Sequence, residues 1–117
     1  MSDVEIIGGP PTVSAESIRR KIVDYLTGTR VRRAILFGSF ARGSADSISD
    51  VDLVLIEDNP RPFLDRGLDH LPLFRLGVGV DLLVYTPEEY AQLKADGNPL
   101  IERVEQEGVT LYARSEN

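Results

Sequence analysis

The chain has 117 residues, of which 42% are hydrophobic and 27% are charged, and this size and composition predict one soluble globular domain with one core. A net charge of −6 argues against a tight nonspecific nucleic-acid binder, because phosphate binding needs accumulated Lys and Arg. There is no cysteine, no signal peptide and no apolar run near the roughly 20 residues that cross a membrane, so we expect a cytoplasmic protein without membrane contact.

The N-terminal half predicts one helix and two strands. Residues 1–11 contain Gly-Gly-Pro-Pro and are expected to form a flexible entry to the domain. From Ser14 to Leu26, apolar residues recur at spacings of three and four, which predicts a helix with Ser14 as N-cap and Gly28 as its stop. Three apolar runs predict buried strands: AILF at 34–37, VDLVLIE at 51–57 and, further on, VGVDLLVY at 78–85.

The segment 59–77, between the second and third predicted strands, predicts a short or irregular helix. Its leucines follow helical spacing, but Gly67 and Pro72 interrupt the pattern. His70, the only histidine of the chain, lies in this segment, and we expect a surface or capping role for it.

Two helices and a strand are predicted for the C-terminal part. In 86–97, Thr86 is the predicted N-cap and Glu89 completes a capping box. In 98–108, Asn98 is the predicted N-cap, followed by Pro99 at the first helical position. Residues 109–114, VTLYAR, predict a short last strand. The order of elements predicts an α/β (α+β) fold in which a small mixed β-sheet is flanked by helices, within a single domain over 1–117.

Two further groups of residues admit more than one interpretation. Six basic residues lie within a stretch of fifteen, which indicates either a solvated basic face or a surface for a partner or nucleotide: Arg19, Arg20, Lys21, Arg30, Arg32 and Arg33. The four tyrosines are predicted to pack in or near the core rather than to stack on bases: Tyr25, Tyr85, Tyr90 and Tyr112.

Three aspartates are the candidate catalytic residues and metal ligands. Asp50 and Asp52 lie at the head of a hydrophobic strand, where alternation directs both carboxylates to the same side. Two close carboxylates repel each other, and a divalent cation such as Mg²⁺ or Mn²⁺ would remove that repulsion. Asp81 lies in another predicted strand and would supply a third carboxylate if the two strands are neighbours.

A Gly-Ser step precedes these acids and predicts a phosphate-binding turn. Gly38 and Ser39 end the first predicted strand, where exposed backbone N–H groups and a hydroxyl would bind phosphate oxygens. Carboxylates that bind two metal ions beside a phosphate-binding turn suggest a nucleoside triphosphate substrate and nucleotidyl transfer.

The string GSFARGSADSISDVDLVL, residues 38–55, resembles the signature of the DNA polymerase beta-like nucleotidyltransferases, and most closely that of the minimal nucleotidyltransferases (MNT). This resemblance implies that Gly38 and Ser39 hold the triphosphate and that Asp50, Asp52 and Asp81 bind two Mg²⁺. It also implies that Asp81 helps to deprotonate the attacking hydroxyl. Arg42 matches the arginine of the family's Ala-Arg-Gly element, for which we expect a phosphate or partner contact.

The same resemblance implies a partner and a reaction. Proteins similar to this one act as antitoxins of HEPN-domain toxins by transferring AMP from ATP to a toxin tyrosine, so an adenylyltransferase (AMPylation) activity is expected. The choice of ATP depends on the family alone. Two alternatives are a non-catalytic antitoxin that neutralises its partner by binding, and a small-molecule nucleotidyltransferase of the aminoglycoside type that is active as a homodimer.

Overall fold

A four-stranded mixed sheet organises the fold in the computed structural model, which describes residues 14–38 and 50–114. The strands are β1 (Arg33–Phe37), β2 (Val51–Ile56), β3 (Val80–Tyr85) and β4 (Val109–Ala113), and their order in the sheet is β3-β2-β1-β4. β1 pairs antiparallel with both β2 and β4, whereas β2 and β3 are parallel. The predicted mixed α/β fold is confirmed. The expected flexible entry, 1–11, lies outside the described residues.

Three α-helices form where the sequence predicts them, and each is preceded by a residue that caps it. They are α1 (Ala15–Leu26), α2 (Pro87–Ala95) and α3 (Pro99–Glu107). The Ser14 hydroxyl accepts a hydrogen bond from the backbone N–H of Ser17, and the Thr86 and Glu89 side chains complete the predicted capping box. The Asn98 side chain accepts from two N–H groups of α3. No helix in the described ranges is long and apolar enough to cross a membrane.

The parallel strands β2 and β3 require a crossover connection, and a 3₁₀ helix at Phe63–Arg75 (the crossover segment) provides it. The backbone is kinked at His70, with φ −131° and ψ 36°, two residues before Pro72. The prediction of an irregular helix is therefore confirmed. Because the segment leads from the end of β2 back to the beginning of β3, it also brings the first residues of the two strands to the same end of the sheet.

Apolar side chains cover both faces of the sheet. On one face α1 packs through Ile18, Ile22 and Leu26, which are fully buried together with strand residues such as Leu36 and Leu53. On the other face α3 and α2 cover β1 and β2 through Ile101, Val104 and Tyr90. Burying a large aliphatic side chain contributes about 1.5–3 kcal/mol, so these contacts account for the stability of the sheet. All four tyrosines are buried or half-buried, as predicted.

A polar cluster is buried beneath the crossover segment, and it corrects the surface role expected for His70. The His70 side chain is only 3% exposed and lies between Tyr25 and Glu57, the latter fully buried. The Tyr25 hydroxyl is 2.7 Å from His70 Nδ1, and His70 Nε2 is 3.0 Å from Glu57 Oε2, which also accepts from Asn59 Nδ2 at 2.8 Å. The expectation was wrong because the sequence does not show that Glu57 needs a buried partner.

The carboxylate of Glu57 is stabilised in its charged form. Burial acts to raise the pKa of Glu57, but hydrogen bonds from His70 and Asn59 and electrostatic interactions with His70 and Arg30 outweigh it, so that the pKa lies below its ordinary value. Arg30 also contacts Asp69 at 3.4 Å, and Arg32 contacts Asp58 at 2.7 Å. At least these two members of the basic group therefore pair with acids of the same chain.

Arg66 fastens the crossover segment to the sheet. Its guanidinium is almost completely buried; it donates to the carbonyl of Val84 in β3 at 3.0 Å and makes a bidentate pair with Glu89 of α2 at 2.6 and 3.0 Å. A bidentate charged pair fixes orientation as well as distance. One side chain thus connects the crossover segment, β3 and α2.

Candidate active site

Two of the three candidate acids lie directly opposite each other. In the parallel register of β2 and β3, Asp52 pairs with Asp81, and Asp50 immediately precedes β2. Asp52 is half-buried, whereas Asp50 and Asp81 are exposed. Since the side-chain period of a strand is two, Asp52 continues the row of Val54 and Ile56, on the face covered by α2 and α3. The acids therefore lie where this row of apolar side chains ends.

The acids interact strongly enough to change the pKa of Asp52. Burial raises the pKa of Asp52, the hydrogen bond between the Asp52 and Asp81 side chains raises it further, and the negative charges of Asp81 and Asp50 act in the same direction.

Arg103 of α3 acts on Asp52 in the opposite direction, and sequence reasoning missed it. Its positive charge lowers the pKa of Asp52, although less than the other influences raise it. Ile101 and Val104 anchor α3 on the sheet, which brings Arg103 to the acids. No motif marks this arginine, so only the packing of α3 reveals it.

Two glycines leave room for the carboxylates. A side chain at Gly38 would collide with the Asp52 carboxylate, and one at Gly79 would collide with the carboxylate of Asp50. Gly38 follows β1 with φ +80°, a left-handed conformation that favours glycine. Gly38, which follows β1, and the carboxylate of Asp52 in β2 are therefore adjacent in space. Ser39 and Arg42, the other two predicted phosphate-binding residues, lie outside the described residues.

The donor set fits a hard divalent cation. Carboxylate oxygens are the ligands that Mg²⁺ prefers, and the contact between Asp52 and Asp81 places two of them together, with Asp50 close enough to affect Asp52 electrostatically. Within 14–38 and 50–114, however, no three His, Cys, Asp or Glu side chains are grouped closely enough to hold a metal ion. In the described residues the acids thus form a contacting pair with a third acid beside it.

A separate cavity of about 520 Å³ lies at the opposite end of β3. Its apolar walls include Phe63 and Tyr85, whose rings stack at 5.3 Å, together with Leu93 and Leu100. Tyr85 is four residues after Asp81, a distance of about 13 Å along a strand. The carboxylate of Glu89 also lines the cavity but is already paired with Arg66. This cavity is therefore not part of the acid site.

Comparisons with known proteins agree with this arrangement. The family model of polymerase beta nucleotidyltransferases matches residues 20–117. A protein of Methanocaldococcus jannaschii described as a protein adenylyltransferase is 34% identical over 74 residues, which cover 62% of this chain and 80% of that protein. A solved structure described as a minimal nucleotidyltransferase is 32% identical, covers 87% of this chain and 98% of its own, and superposes with a TM-score of 0.52.

The fold also occurs in a toxin–antitoxin complex. A chain from the complex of a tri-AMPylated Shewanella oneidensis HEPN toxin with an MNT antitoxin superposes with a TM-score of 0.58 at 19% identity, over 86% of this chain and 74% of that chain. At this identity the similarity shows the shared fold. The family match over residues 20–117 and the 32% identity to a minimal nucleotidyltransferase establish that the chain belongs to the polymerase beta nucleotidyltransferase family and is a nucleotidyltransferase of the minimal type.

Proposed function

We propose that this chain transfers AMP from ATP to a tyrosine hydroxyl of a HEPN-domain toxin and thereby acts as its antitoxin. The observation that carries the proposal is the pairing of Asp52 with Asp81 beside Asp50, with Gly38 adjacent to the carboxylate of Asp52. Two relatives support the choice of acceptor: the Methanocaldococcus protein is described as a protein adenylyltransferase, and the Shewanella complex contains an AMPylated HEPN toxin.

Each candidate residue has a role in this reaction. Asp50, Asp52 and Asp81 would hold Mg²⁺, two ions in the complete site, and the bound metal would supply positive charge that offsets the developing negative charge on the phosphates. The backbone N–H groups of the turn at Gly38 and Ser39 would bind the triphosphate, with Arg42 as a further phosphate contact.

The chemical step follows from these positions. The tyrosine oxygen forms a new bond to the α-phosphorus, and the bond between that phosphorus and the bridging oxygen to the β-phosphorus breaks, so that pyrophosphate leaves. Asp81, the more exposed member of the acid pair, would accept the proton of the hydroxyl. We further propose that residues 1–117 act as one nucleotidyltransferase domain and that the partner supplies the acceptor.

The direct test is the intact mass of both chains. The protein is co-expressed with the product of the adjacent gene, and the purified pair is incubated with ATP and Mg²⁺. We expect the partner to gain one or more AMP masses, to gain them at a strongly reduced rate with Asp52→Asn, and to gain none without Mg²⁺. A stable complex without any mass gain would contradict the proposal and would favour neutralisation by binding alone.

Glycine substitutions test whether AMP transfer depends on the space that Gly38 leaves for the Asp52 carboxylate. Gly38→Ala and Gly28→Ala each place alanine at a positive φ, +80° and +98°, so each is expected to lower the free energy of unfolding by about 1–2 kcal/mol. Gly28 has open space around it, whereas a methyl group at Gly38 must displace the carboxylate of Asp52. Only Gly38→Ala should therefore lose AMP transfer. Equal rates of AMP transfer by the two variants would show that the reaction does not depend on the position of the Asp52 carboxylate.

A further inference from the structure

The crossover segment exposes most of the large apolar side chains that the structure leaves open to solvent. Among the described residues, six large hydrophobic side chains are exposed, and five of them belong to this segment: Phe63, Leu64, Leu68, Leu71 and Phe74. Leu64 is 90% and Leu68 58% exposed. We call Leu64, Leu68, Leu71 and Phe74 the apolar strip. Its concentration in one element indicates an interaction surface rather than scattered surface hydrophobics.

The strip extends over both halves of the kinked segment. In a 3₁₀ helix the side chains at i and i+3 eclipse each other, so Leu68 lies in line with Asp65 before the kink at His70, and Phe74 lies in line with Leu71 after it. The segment is held to the domain by its other side, through buried Arg66, His70 and Leu73. The Phe74 ring lies over Gly67, where an added Cβ would be 3.7 Å from it. The strip is therefore presented on an anchored element.

The two ends of the strip carry side chains of opposite charge. Asp65 is in the first turn of the segment and Arg75 is in its last turn, and both are exposed. Within residues 14–38 and 50–114, neither side chain has a hydrogen-bonding or ion-pair partner. An acid at one end and a base at the other make the strip complementary to its own copy in the antiparallel orientation.

We propose that the apolar strip is the interface of a twofold symmetric dimer of this chain. With the axis at residue 70, Asp65 lies opposite Arg75 of the second copy, and Leu68 lies within one position of Leu71 of the second copy. In a twofold interface the same surface patch of both copies meets, and each contact occurs twice. A twofold interface therefore requires a patch that is complementary to itself, as the strip with its two opposite charges is. The proposal does not depend on the reaction assigned to the acid site.

Charge exchange gives a test specific to this pairing. Asp65→Lys faces Arg75 of its copy, and Arg75→Glu faces Asp65 of its copy, so each variant alone replaces two attractive pairs by two repulsive pairs. We expect the dimer dissociation constant to rise about tenfold or more for each variant alone. In an equimolar mixture of the two variants, the introduced lysine faces the introduced glutamate, and the unchanged Asp65 of one copy faces the unchanged Arg75 of the other. Both attractive pairs are thereby restored, and the mixture should dimerise like the original protein.

Analytical ultracentrifugation over a concentration series measures these constants on the full chain. Asp24→Lys and Arg114→Glu are the matched controls, because they make the same charge changes at exposed positions of α1 and the C-terminal end of the chain. Leu68→Glu should prevent dimerisation, with circular dichroism and thermal unfolding verifying that the exposed substitution leaves the fold intact.

Three results would each overturn the dimer: the original protein is monomeric at all concentrations, the controls weaken association as much as the strip variants do, or the mixture fails to recover. If the original protein is monomeric while Leu68→Glu prevents binding of the co-expressed partner, the strip belongs to that heterologous interface instead.

Discussion

Asp52→Asn is expected to lower the rate of AMP transfer by about 10²- to 10³-fold and to leave the fold intact. The variant removes one carboxylate from the acid pair, and loss of the charge stabilisation that a metal site supplies is worth several kcal/mol, at about 1.4 kcal/mol for each tenfold change in rate. The rate is measured by intact mass of the partner over time, with saturating ATP and Mg²⁺. Asp58→Asn is the matched control, because Asp58 is an exposed acid that pairs with Arg32 at 2.7 Å, away from the acid site.

The same variant separates a functional acid from a structural one. Folding raises the pKa of Asp52, so the folded protein binds this proton more tightly than the unfolded chain does. The interaction therefore favours folding at low pH and opposes it as the pH rises through the raised pKa. At pH 7, Asp52→Asn should be as stable as the original protein or more stable. A marked fall in melting temperature would instead mean that the charged Asp52 carboxylate holds the fold together.

His70→Phe is expected to lower the free energy of unfolding by about 3–5 kcal/mol. The substitution keeps an aromatic ring but removes the hydrogen bond to Glu57, which leaves a fully buried carboxylate with Asn59 as its hydrogen-bonding partner. Removing one partner of a buried charged group typically has a cost of this size. Urea unfolding at pH 7 measures the loss, which is a large part of the stability of a typical domain.

The double variant Glu57→Leu/His70→Phe is the control for this pair. Replacing both partners removes the buried charge, so most of the lost stability should return, because Asn59 and Tyr25 keep contacts with Asp69. Since folding lowers the pKa of Glu57, its contribution is present above the ordinary carboxyl pKa of about 4.3 and is lost as the pH falls below it. The double variant should therefore lose less stability in acid. Equal acid sensitivity would contradict the assigned role of Glu57.

The local signals of the sequence predicted the elements well. Ser14, Thr86 and Asn98 begin the helices as their side-chain chemistry indicates, because a cap depends only on residues within one turn. Gly28 adopts the positive φ expected at a helix stop. The alternation of Asp50, Val51 and Asp52 likewise predicted that the side chain between the two acids points to the opposite side of the strand, and Val51 is completely buried there.

Contacts between residues that are distant in the sequence could not be predicted from local patterns. That Asp81 meets Asp52 depends on the parallel register of β2 and β3, which no short pattern specifies. The burial of His70 depends on the end of β2, where Glu57 enters the core, and the approach of Arg103 depends on how α3 packs. In each case the decisive partner is distant in sequence: His70 is 13 residues from Glu57, and Tyr25 is 45 from His70.

During folding, the acid pair is expected to form late. The antiparallel strands β1 and β2 are separated by 13 residues, 38–50, whereas β2 and β3 are separated by 23 residues, 57–79. Their parallel pairing must wait until the crossover segment has closed and buried Arg66 and His70. The converse holds when the protein opens locally. Release of the crossover segment alone would separate Asp81 from Asp52 while β1, β2 and β4 stay paired, so the acid pair is lost at a smaller free-energy cost than the fold itself.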